Sequence, residues 1–166
     1  MLVVNFKKLH PEAKLPVKGS ASAACFDVYA TSVTLDQNYI VTYGLGFATE
    51  IPEGWRGVIV PRSNISKHPW ILANSVGIVD SDYRGEWMVK FKAISDELTL
   101  PYAVGDRIAQ IYFEKNTEVA FAEVEELDQT GRGEGGFGST GITDVTYAKP
   151  DYVTNTTADV KANYNS

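Results

Sequence analysis

The 166-residue sequence has one cysteine, no long apolar run and fewer basic than acidic side chains. Because Cys25 stands alone, no disulfide can form within the chain, and a reducing compartment is the natural environment. The formal net charge of −6 argues against a general nucleic-acid coat, which needs a basic face. No segment is apolar enough to span a membrane, and the N-terminal residues lack a signal-peptide pattern. We therefore expect a cytoplasmic protein with neither a nucleic-acid nor a membrane partner.

Helical periodicity is missing as well. Short segments of alternating apolar and polar residues follow one another at regular spacing, with Gly and Pro turns between them. This pattern predicts an all-β protein, an antiparallel sandwich or barrel. The predicted strands cover residues 2–6, 23–30, 38–51, 55–60, 87–93, 98–102, 107–113 and 117–127, with a bend or bulge at Gly44 and Gly46.

The turn in residues 77–86, with the sequence GIVDSDYRGE, carries the clearest candidate chemistry. It lies between a strand that ends near Ile78 and the strand 87–93. The Tyr83 ring offers a flat apolar surface for a small planar ligand, and the Asp80 carboxylate can orient or deprotonate a water. Taken alone, the segment is more simply explained as a hairpin whose Asp and Gly residues favour the turn.

Residues 61–68 form the one plausible helical turn. Ser63 can cap it, and free backbone N–H groups at its start suit an anion, to which Arg62 adds a planar fork. The alternative is an ordinary helix start. Two further polar residues interrupt apolar strands, Asp27 and Gln110. Each either faces solvent, bonds to backbone or points into a site, because a buried polar group needs partners.

Beyond residue 130 the composition changes. Residues 131–141 are too glycine-rich to hold a fixed strand unaided, and the simplest interpretation is a flexible linker. Phe137 is out of place in a solvated linker, however, and Arg132 with the hydroxyls of Ser139 and Thr140 would make a phosphate clamp that orders over its ligand. Residues 142–166 lack apolar periodicity and predict an extended strap or a disordered tail.

Taken together, five segments resemble the five motifs of the trimeric dUTPase family (deoxyuridine triphosphate nucleotidohydrolases) in order and approximate spacing: 24–30, 61–63, 77–85, 105–110 and 132–141. The resemblance implies a jelly-roll-like β-barrel over residues 1–130, a glycine-rich mobile arm over 131–141 and a tail over 142–166. It also implies a homotrimer whose active sites are shared between subunits. The implied reaction is Mg²⁺-dependent hydrolysis of dUTP to dUMP and pyrophosphate, by water attack at the α-phosphorus, which lowers dUTP and supplies dUMP for thymidylate synthesis.

The same resemblance assigns roles to individual residues. Asp80 activates the attacking water, Gln110 lies near the α-phosphate, and Ser63 lies near the α–β bridge. Tyr83 stacks under the deoxyribose, and Asp27 holds magnesium through its waters. The remaining substrate contacts are Asn74 with the backbone of Gly77 and Val79 at the uracil edge, Arg62 and Asn64 beside Ser63 at the phosphates, Arg132 at the γ-phosphate, and Phe137, Gly138, Ser139 and Thr140 in the closing arm.

Some residues depart from the family pattern: Cys25 replaces a common glycine, Asn64 replaces a smaller residue, and Pro69-Trp70 precedes the hairpin. Two alternatives therefore stay open. Deoxycytidine triphosphate deaminases share the fold and the phosphate contacts, although the intact hairpin 77–85 disfavours them. The second alternative is a nucleotide-gated regulatory module that has lost turnover. The intact Asp80, Gln110 and Arg132 disfavour it.

Overall fold

The structure is a computed structural model that describes residues 1–96 and 99–136. It contains eleven strands and one 3-10 helix in these residues. In chain order these are β1 Asn5–Lys8, β2 Val17–Lys18, β3 Phe26–Tyr29, β4 Ser32–Leu35, β5 Ile40–Gly44, β6 Phe47–Glu50, β7 Trp55–Pro61, the 3-10 helix η1 Ser63–Lys67, β8 Trp70–Leu72, β9 Gly77–Val79, β10 Met88–Ala93 and β11 Arg107–Lys115.

All strand pairs are antiparallel, and they form three sheets. β1 pairs with β6, a second sheet has the order β4-β5-β10-β8, and a five-stranded sheet has the order β2-β3-β11-β7-β9. This arrangement confirms the predicted all-β, jelly-roll-like fold. No helix in the described ranges has the length and apolar character needed to cross a membrane.

The three sheets share one hydrophobic core. In β10 the side chains of Val89 and Phe91 are buried, whereas Lys90 and Lys92 are exposed, as the alternating sequence predicts. Complete burial of such a side chain is worth about 1.5–3 kcal/mol relative to exposure. The largest fully buried side chains are Trp70, Trp87, Tyr43, Phe47, Phe91, Leu45, Ile108 and Ile111. The predicted break at Gly44 and Gly46 separates β5 from β6, and Gly46 adopts a φ of 70° that favours glycine.

The prediction of a strand at 98–102 is wrong for residues 99–102, which have no regular structure. Side chains bond to the backbone of Thr99 and Tyr102 in place of a neighbouring strand. The Tyr43 hydroxyl donates to the Tyr102 carbonyl (2.8 Å) and accepts from the Tyr102 N–H (3.3 Å), while the Trp70 indole donates to the Thr99 carbonyl (2.9 Å). Pro101 has no N–H to give to a ladder.

The predicted strand at 117–127 is also absent, since these residues pair with no strand in the described part of the chain. Phe121 is 97% exposed, and Val119, Val124 and Leu127 are exposed too. Alternation alone does not make a strand, because the segment must also pair with the edge of a sheet. The chain divides into two compact units, Met1–Val119 and Ala120–Ser166, and the second is described only to residue 136. The predicted boundary at residue 130 stays a prediction.

Candidate functional site

The predicted turn at 77–86 forms one wall of an open cavity of about 390 Å³. Its lining includes five residues that the sequence singled out: Asn74, Gly77, Val79, Asp80 and Tyr83. The other lining residues are Ile59, Leu72, Ala73, Ile78, Glu86, Met88, Val89 and Lys90. We call this cavity the hairpin pocket. Its size and its mixture of apolar walls with a few polar groups suit a small planar ligand.

Strand pairing sets the shape of the hairpin pocket. β9 lies at the edge of the five-stranded sheet and pairs with β7, with Gly77 opposite Ile59 and Val79 opposite Gly57. A Cβ on Gly77 would lie 3.0 Å from the Ile59 Cβ, so glycine permits the close approach of the two strands.

The Tyr83 ring is held over Gly85 at the far end of the turn. Its hydroxyl donates to the Glu86 carbonyl (3.0 Å), and a Cβ on Gly85 would lie 2.4 Å from the Tyr83 oxygen. The ring is 42% exposed and therefore leaves a face available to a ligand. The backbone N–H of Tyr83 donates to the Asp80 carbonyl (3.2 Å), which closes the turn between the two functional side chains.

Two carboxylates line the hairpin pocket, and they differ in their bonding. Glu86 accepts a hydrogen bond from the Gly46 N–H (2.8 Å) and so fastens the turn to the bend between β5 and β6. The exposed Asp80 carboxylate has no hydrogen-bond or ion-pair partner among the described residues. A carboxylate without a structural partner is available to accept a proton from a bound water.

Glu86 and Lys90 were not singled out by the sequence. Lys90 of β10 lies opposite Thr42 of β5, and it is one of the residues that line the pocket. A lysine on the exposed face of an alternating strand gives no local signal of a site, because that is where lysines commonly lie. Glu86 also gives no local signal of a site, because its hydrogen-bond partner Gly46 is 40 residues away in the chain.

A second cluster surrounds Asp27, which is buried on β3 with 3% of its surface exposed. Asp27 Oδ1 accepts hydrogen bonds from Arg62 Nε (3.1 Å) and Gln110 Nε2 (3.1 Å), and Oδ2 accepts from Arg107 Nη1 (3.0 Å). Gln110 lies opposite Asp27 in the β11–β3 pair, and Arg62 follows the last residue of β7. We call Asp27, Arg62, Arg107 and Gln110 the Asp27 cluster.

The structure thus decides between the open alternatives for Asp27 and Gln110. Neither is a simple surface residue, because the Gln110 amide donates a hydrogen bond to the Asp27 carboxylate. The sequence missed Arg107, which lies within the 105–110 motif but was given no role. Its contact with Asp27 spans 80 positions of the chain, so no local pattern indicates it.

The oxygens of Asp27 do not suit direct coordination of a metal ion in this arrangement, and the predicted contact of Asp27 with magnesium through water stays a prediction. Both of its oxygens accept hydrogen bonds from guanidinium groups, and a cation at the same oxygens would face two positive charges at close range. Across the described ranges, no group of three or more His, Cys, Asp or Glu side chains is placed to hold a metal ion.

The helical turn is present as η1, but Ser63 does not cap it. Arg62 occupies the N-cap position, with no side-chain cap hydrogen bond, and Ser63 is the first residue of the helix. The exposed Ser63 side chain remains close in sequence to Arg62, which joins the Asp27 cluster. Asn64 accepts a hydrogen bond from the Tyr102 hydroxyl (3.0 Å), whose pKa is raised by burial.

The arm belongs to the second unit and is described only in part. Residues 131–134 form a turn in which Gly133 has a φ of 51° and Arg132 Nε donates to the Gly135 carbonyl (2.7 Å). The predicted arm contacts of Phe137, Gly138, Ser139 and Thr140 lie outside the described residues.

The hairpin pocket and the Asp27 cluster are separate in one chain. None of the residues of the Asp27 cluster, nor Ser63 or Asn64, lines the hairpin pocket. No hydrogen bond or ion pair between described residues joins the two groups. Within the described part of the molecule, the chain therefore presents an open pocket in one place and a cationic cluster in another.

Comparison with known proteins identifies the family. The family model for dUTPase matches residues 11–141. This chain belongs to the dUTPase family. The predicted family is thereby confirmed, as is the predicted enzyme class, dUTP diphosphatase.

Relatives in this family match nearly the whole of their own length. The deoxyuridine 5'-triphosphate nucleotidohydrolase of Helicobacter pylori is 36% identical over 141 residues, which cover 84% of this chain and 97% of that protein. The enzyme of the same description from Corynebacterium diphtheriae is 39% identical over 144 residues, covering 84% of this chain and 93% of that protein.

Solved structures of phage dUTPases share the fold. The Staphylococcus bacteriophage 80alpha dUTPase, a mutant solved with dUpNHpp, aligns with a TM-score of 0.71 at 22% identity, covering 84% of this chain and 99% of that one. A mutant dUTPase from phage phi11 of S. aureus, in which a structural Mg(II) ion is coordinated, aligns with a TM-score of 0.62 at 20% identity. That alignment covers 75% of this chain and 97% of the phi11 chain.

Proposed function

We propose that this dUTPase-family chain hydrolyses dUTP to dUMP and pyrophosphate by water attack at the α-phosphorus. One observation carries the proposal: Asn74, Gly77, Asp80 and Tyr83 line the same cavity, with the Asp80 carboxylate unpaired among the described residues. Uracil binds at Asn74 and the backbone of Gly77 and Val79, and deoxyribose stacks on Tyr83. With the sugar stacked on the exposed face of the Tyr83 ring, no space remains between ring and sugar for a ribose 2′-hydroxyl.

Asp80 acts as the general base. It accepts the proton of a water that attacks the α-phosphorus, while the bond from the α-phosphorus to the bridging oxygen breaks and pyrophosphate leaves with the electron pair. A positioned base of this kind is worth roughly 10²–10⁴-fold in rate. Arg62, Ser63, Gln110 and, from the arm, Arg132 bind the phosphates and stabilise the charge on the leaving group.

We also propose that a divalent cation, Mg²⁺, accompanies the triphosphate. Substrate phosphates and water would supply the coordination, as Mg²⁺ commonly allows, and Asp27 would hold the ion through those waters, as the family resemblance implies. When bound, the ion neutralises charge on the phosphate oxygens.

A cyclic homotrimer with shared sites accounts for the separation of the two clusters. In this arrangement the hairpin pocket of one subunit faces the Asp27 cluster of the next, and the site is complete only in the assembly. A heterologous contact repeated around a closed ring produces this kind of shared site.

The test is product analysis with purified protein, dUTP and Mg²⁺. We expect dUMP and pyrophosphate in equal amounts, and loss of turnover in EDTA. The products dUDP and phosphate would instead place the attack at the γ-phosphorus. Release of ammonia from dCTP would make the chain a deaminase, and nucleotide binding without any product would make it a regulatory module.

A further inference from the structure

The 3-10 helix η1, which begins with Ser63, is weakly attached by its own residues. In this fully described segment of five residues no side chain is buried, and the N-cap residue makes no side-chain cap hydrogen bond. Ile65 packs against the core but is only partly buried. The terminal backbone bonds run from the Ile65 N–H to the Arg62 carbonyl (3.1 Å) and from the His68 N–H to the Ile65 carbonyl (3.0 Å). Because so short a 3-10 segment is marginal alone, contacts from the rest of the chain must hold it.

Tyr102 makes contacts at both ends of η1. Near the start of the helix, its hydroxyl donates a hydrogen bond to Asn64 Oδ1 (3.0 Å), across 38 positions of the chain. At the C-cap, the ring of His68 lies with its centroid 5.9 Å from that of the Tyr102 ring. One side chain from the loop before β11 therefore connects both ends of the helix to the body of the protein.

Tyr102 is itself fixed in the core. It is 6% exposed, and its ring packs against Phe91 and Tyr43, with centroid distances of 5.7 and 6.2 Å. Its backbone carbonyl and N–H are both bonded to the Tyr43 hydroxyl. Aromatic contacts of this kind restrict a ring to one orientation, so the Tyr102 hydroxyl is a fixed donor to which η1 can be attached.

Asn64 provides the acceptor, and it is one of the departures from the family pattern, which commonly has a smaller residue here. An alanine has no side-chain acceptor, and a serine places its oxygen one bond closer to the backbone. The longer amide side chain reaches Tyr102 and is partly buried in doing so. The departure at Asn64 is therefore explained by its contact with Tyr102.

We infer that Tyr102 and Asn64 form a positioning pair that holds η1, and with it Ser63, in place for the triphosphate. The inference rests on the proposed function for the role of Ser63. Neither member of the pair touches the substrate: Tyr102 acts through Asn64, and Asn64 acts through the backbone of the helix. Without their hydrogen bond η1 leaves its bound-state conformation more often, and the apparent affinity for the triphosphate falls with the competent fraction.

Hydrogen exchange of the Ile65 and His68 amide protons, followed by NMR in the full-length protein without nucleotide, tests the structural part. We expect roughly three- to tenfold faster exchange in Tyr102→Phe, and the same in Asn64→Ala, because each loses the same hydrogen bond. The double variant should exchange no faster than either single variant. Asn64→Asp keeps an acceptor oxygen for the Tyr102 hydroxyl and should exchange like the original chain.

Tyr43→Phe is the matched control. It also removes a buried tyrosine hydroxyl that bonds to residue 102, but it leaves the bond between the Tyr102 hydroxyl and Asn64 intact. Exchange at Ile65 and His68 should be unchanged in this variant even where Tm falls by as much as in Tyr102→Phe. Equal acceleration in both variants would assign the effect to a loosened core and overturn the inference.

Nucleotide binding tests the part that concerns the substrate. The Kd of dUpNHpp, measured by calorimetry, should rise in Tyr102→Phe and in Asn64→Ala by up to about tenfold. The Kd of deoxyuridine, which has no phosphate to contact η1, should stay the same. With dUTP, KM should change more than kcat, because a bound triphosphate holds the helix in place. Weaker dUpNHpp binding in Asn64→Ala but not in Tyr102→Phe would make Asn64 a direct phosphate contact and overturn the inference.

The exchange measurement needs no nucleotide, so it separates this inference from the proposed function. A chain that shows the expected exchange rates and dUpNHpp affinities but forms no dUMP would keep the inference and refute the proposed function. Turnover of dUTP with unchanged exchange at η1 in Tyr102→Phe would refute the inference alone. If Tyr102→Phe does not fold, the comparison of Asn64→Ala with Asn64→Asp decides, and equal exchange in those two variants would refute the inference.

Discussion

Substitution of Gly85 by alanine should displace the Tyr83 ring and leave the fold intact. An alanine Cβ at residue 85 would lie 2.4 Å from the Tyr83 hydroxyl oxygen and 2.5 Å from Cζ. Carbon atoms in contact prefer about 3.5–4.0 Å, so the end of the ring must withdraw by roughly 1 Å. The ring is free to do so because it is 42% exposed.

The cost to stability should be small. The displaced ring loses its hydrogen bond to the Glu86 carbonyl (3.0 Å), worth about 0.5–1.5 kcal/mol. Replacing glycine lowers the entropy of the unfolded chain, which returns about 0.4–1 kcal/mol. These terms nearly cancel, so we expect Tm to change by no more than a few degrees. The catalytic effect should be much larger, because a misplacement of about 1 Å near a reacting group can cost roughly 10²-fold.

The assay is kcat/KM for dUTP and for UTP in four proteins: the original chain, Gly85→Ala, Tyr83→Ala and the double variant. Gly85→Ala should lower kcat/KM for dUTP by roughly 10- to 100-fold. Both single variants should discriminate less between dUTP and UTP, since the surface under the sugar is displaced or gone. In the Tyr83→Ala background the alanine at residue 85 has no ring to displace, so it should add almost nothing. An equal loss in both backgrounds would show that Gly85→Ala acts through the backbone and not through the Tyr83 ring, and would refute this reasoning.

Three further predictions concern the base, the assembly and the core. Asp80→Asn should keep dUTP affinity and Tm but lower kcat by roughly 10²–10⁴-fold, and normal turnover would exclude Asp80 as the base. Asp80→Asn subunits and subunits that lack residues 131–166 should each be inactive alone. When the two are mixed and exchange subunits, activity should return, because about one site in three of a mixed trimer is repaired. If mass spectrometry shows mixed trimers and the mixture is still inactive, shared sites are excluded. Burial raises the pKa of Tyr43 from 10.0 to about 12, so the folded chain keeps a proton that the unfolded chain releases. The free energy of unfolding should therefore stay constant up to about pH 10 and fall as the pH rises toward 12. The fall should be less steep in Tyr43→Phe. If this substitution leaves the pH dependence unchanged, another group causes the loss of stability.

Sequence alternation predicted the fold wherever a strand has one buried face and a neighbour on each side. β7, β10 and β11 lie inside their sheets and were found within a few residues of their bounds. The prediction failed at residues 99–102, where the Tyr43 hydroxyl satisfies the Tyr102 backbone from 59 positions away. The prediction failed again at residues 117–127. Alternation shows that one face of a segment is apolar, but it does not show whether a sheet edge is there for the segment to pair with.

The candidate site divides in the same way. The hairpin pocket was predictable because Gly77, Asp80 and Tyr83 lie close together in the chain and the turn is local. The Asp27 cluster was not, since Arg62, Arg107 and Gln110 are 35, 80 and 83 positions from Asp27. Only the registers of β3, β11 and β7 bring these residues together. The family resemblance gave Asp27, Arg62 and Gln110 separate roles. It did not indicate that Arg62 and Gln110 both donate hydrogen bonds to the Asp27 carboxylate.

Both halves of the candidate site depend on the register of β7. Ile59 lies opposite Gly77 and lines the hairpin pocket, whereas Val60, the next residue, lies opposite Gln110 of the Asp27 cluster. A slip of one residue would exchange the two faces of the strand and misplace both groups together. Gly57 holds that register from the core side, because a Cβ there would lie 2.5 Å from the buried Trp87 ring. The hairpin pocket and the Asp27 cluster are therefore separate in space but are positioned by one strand.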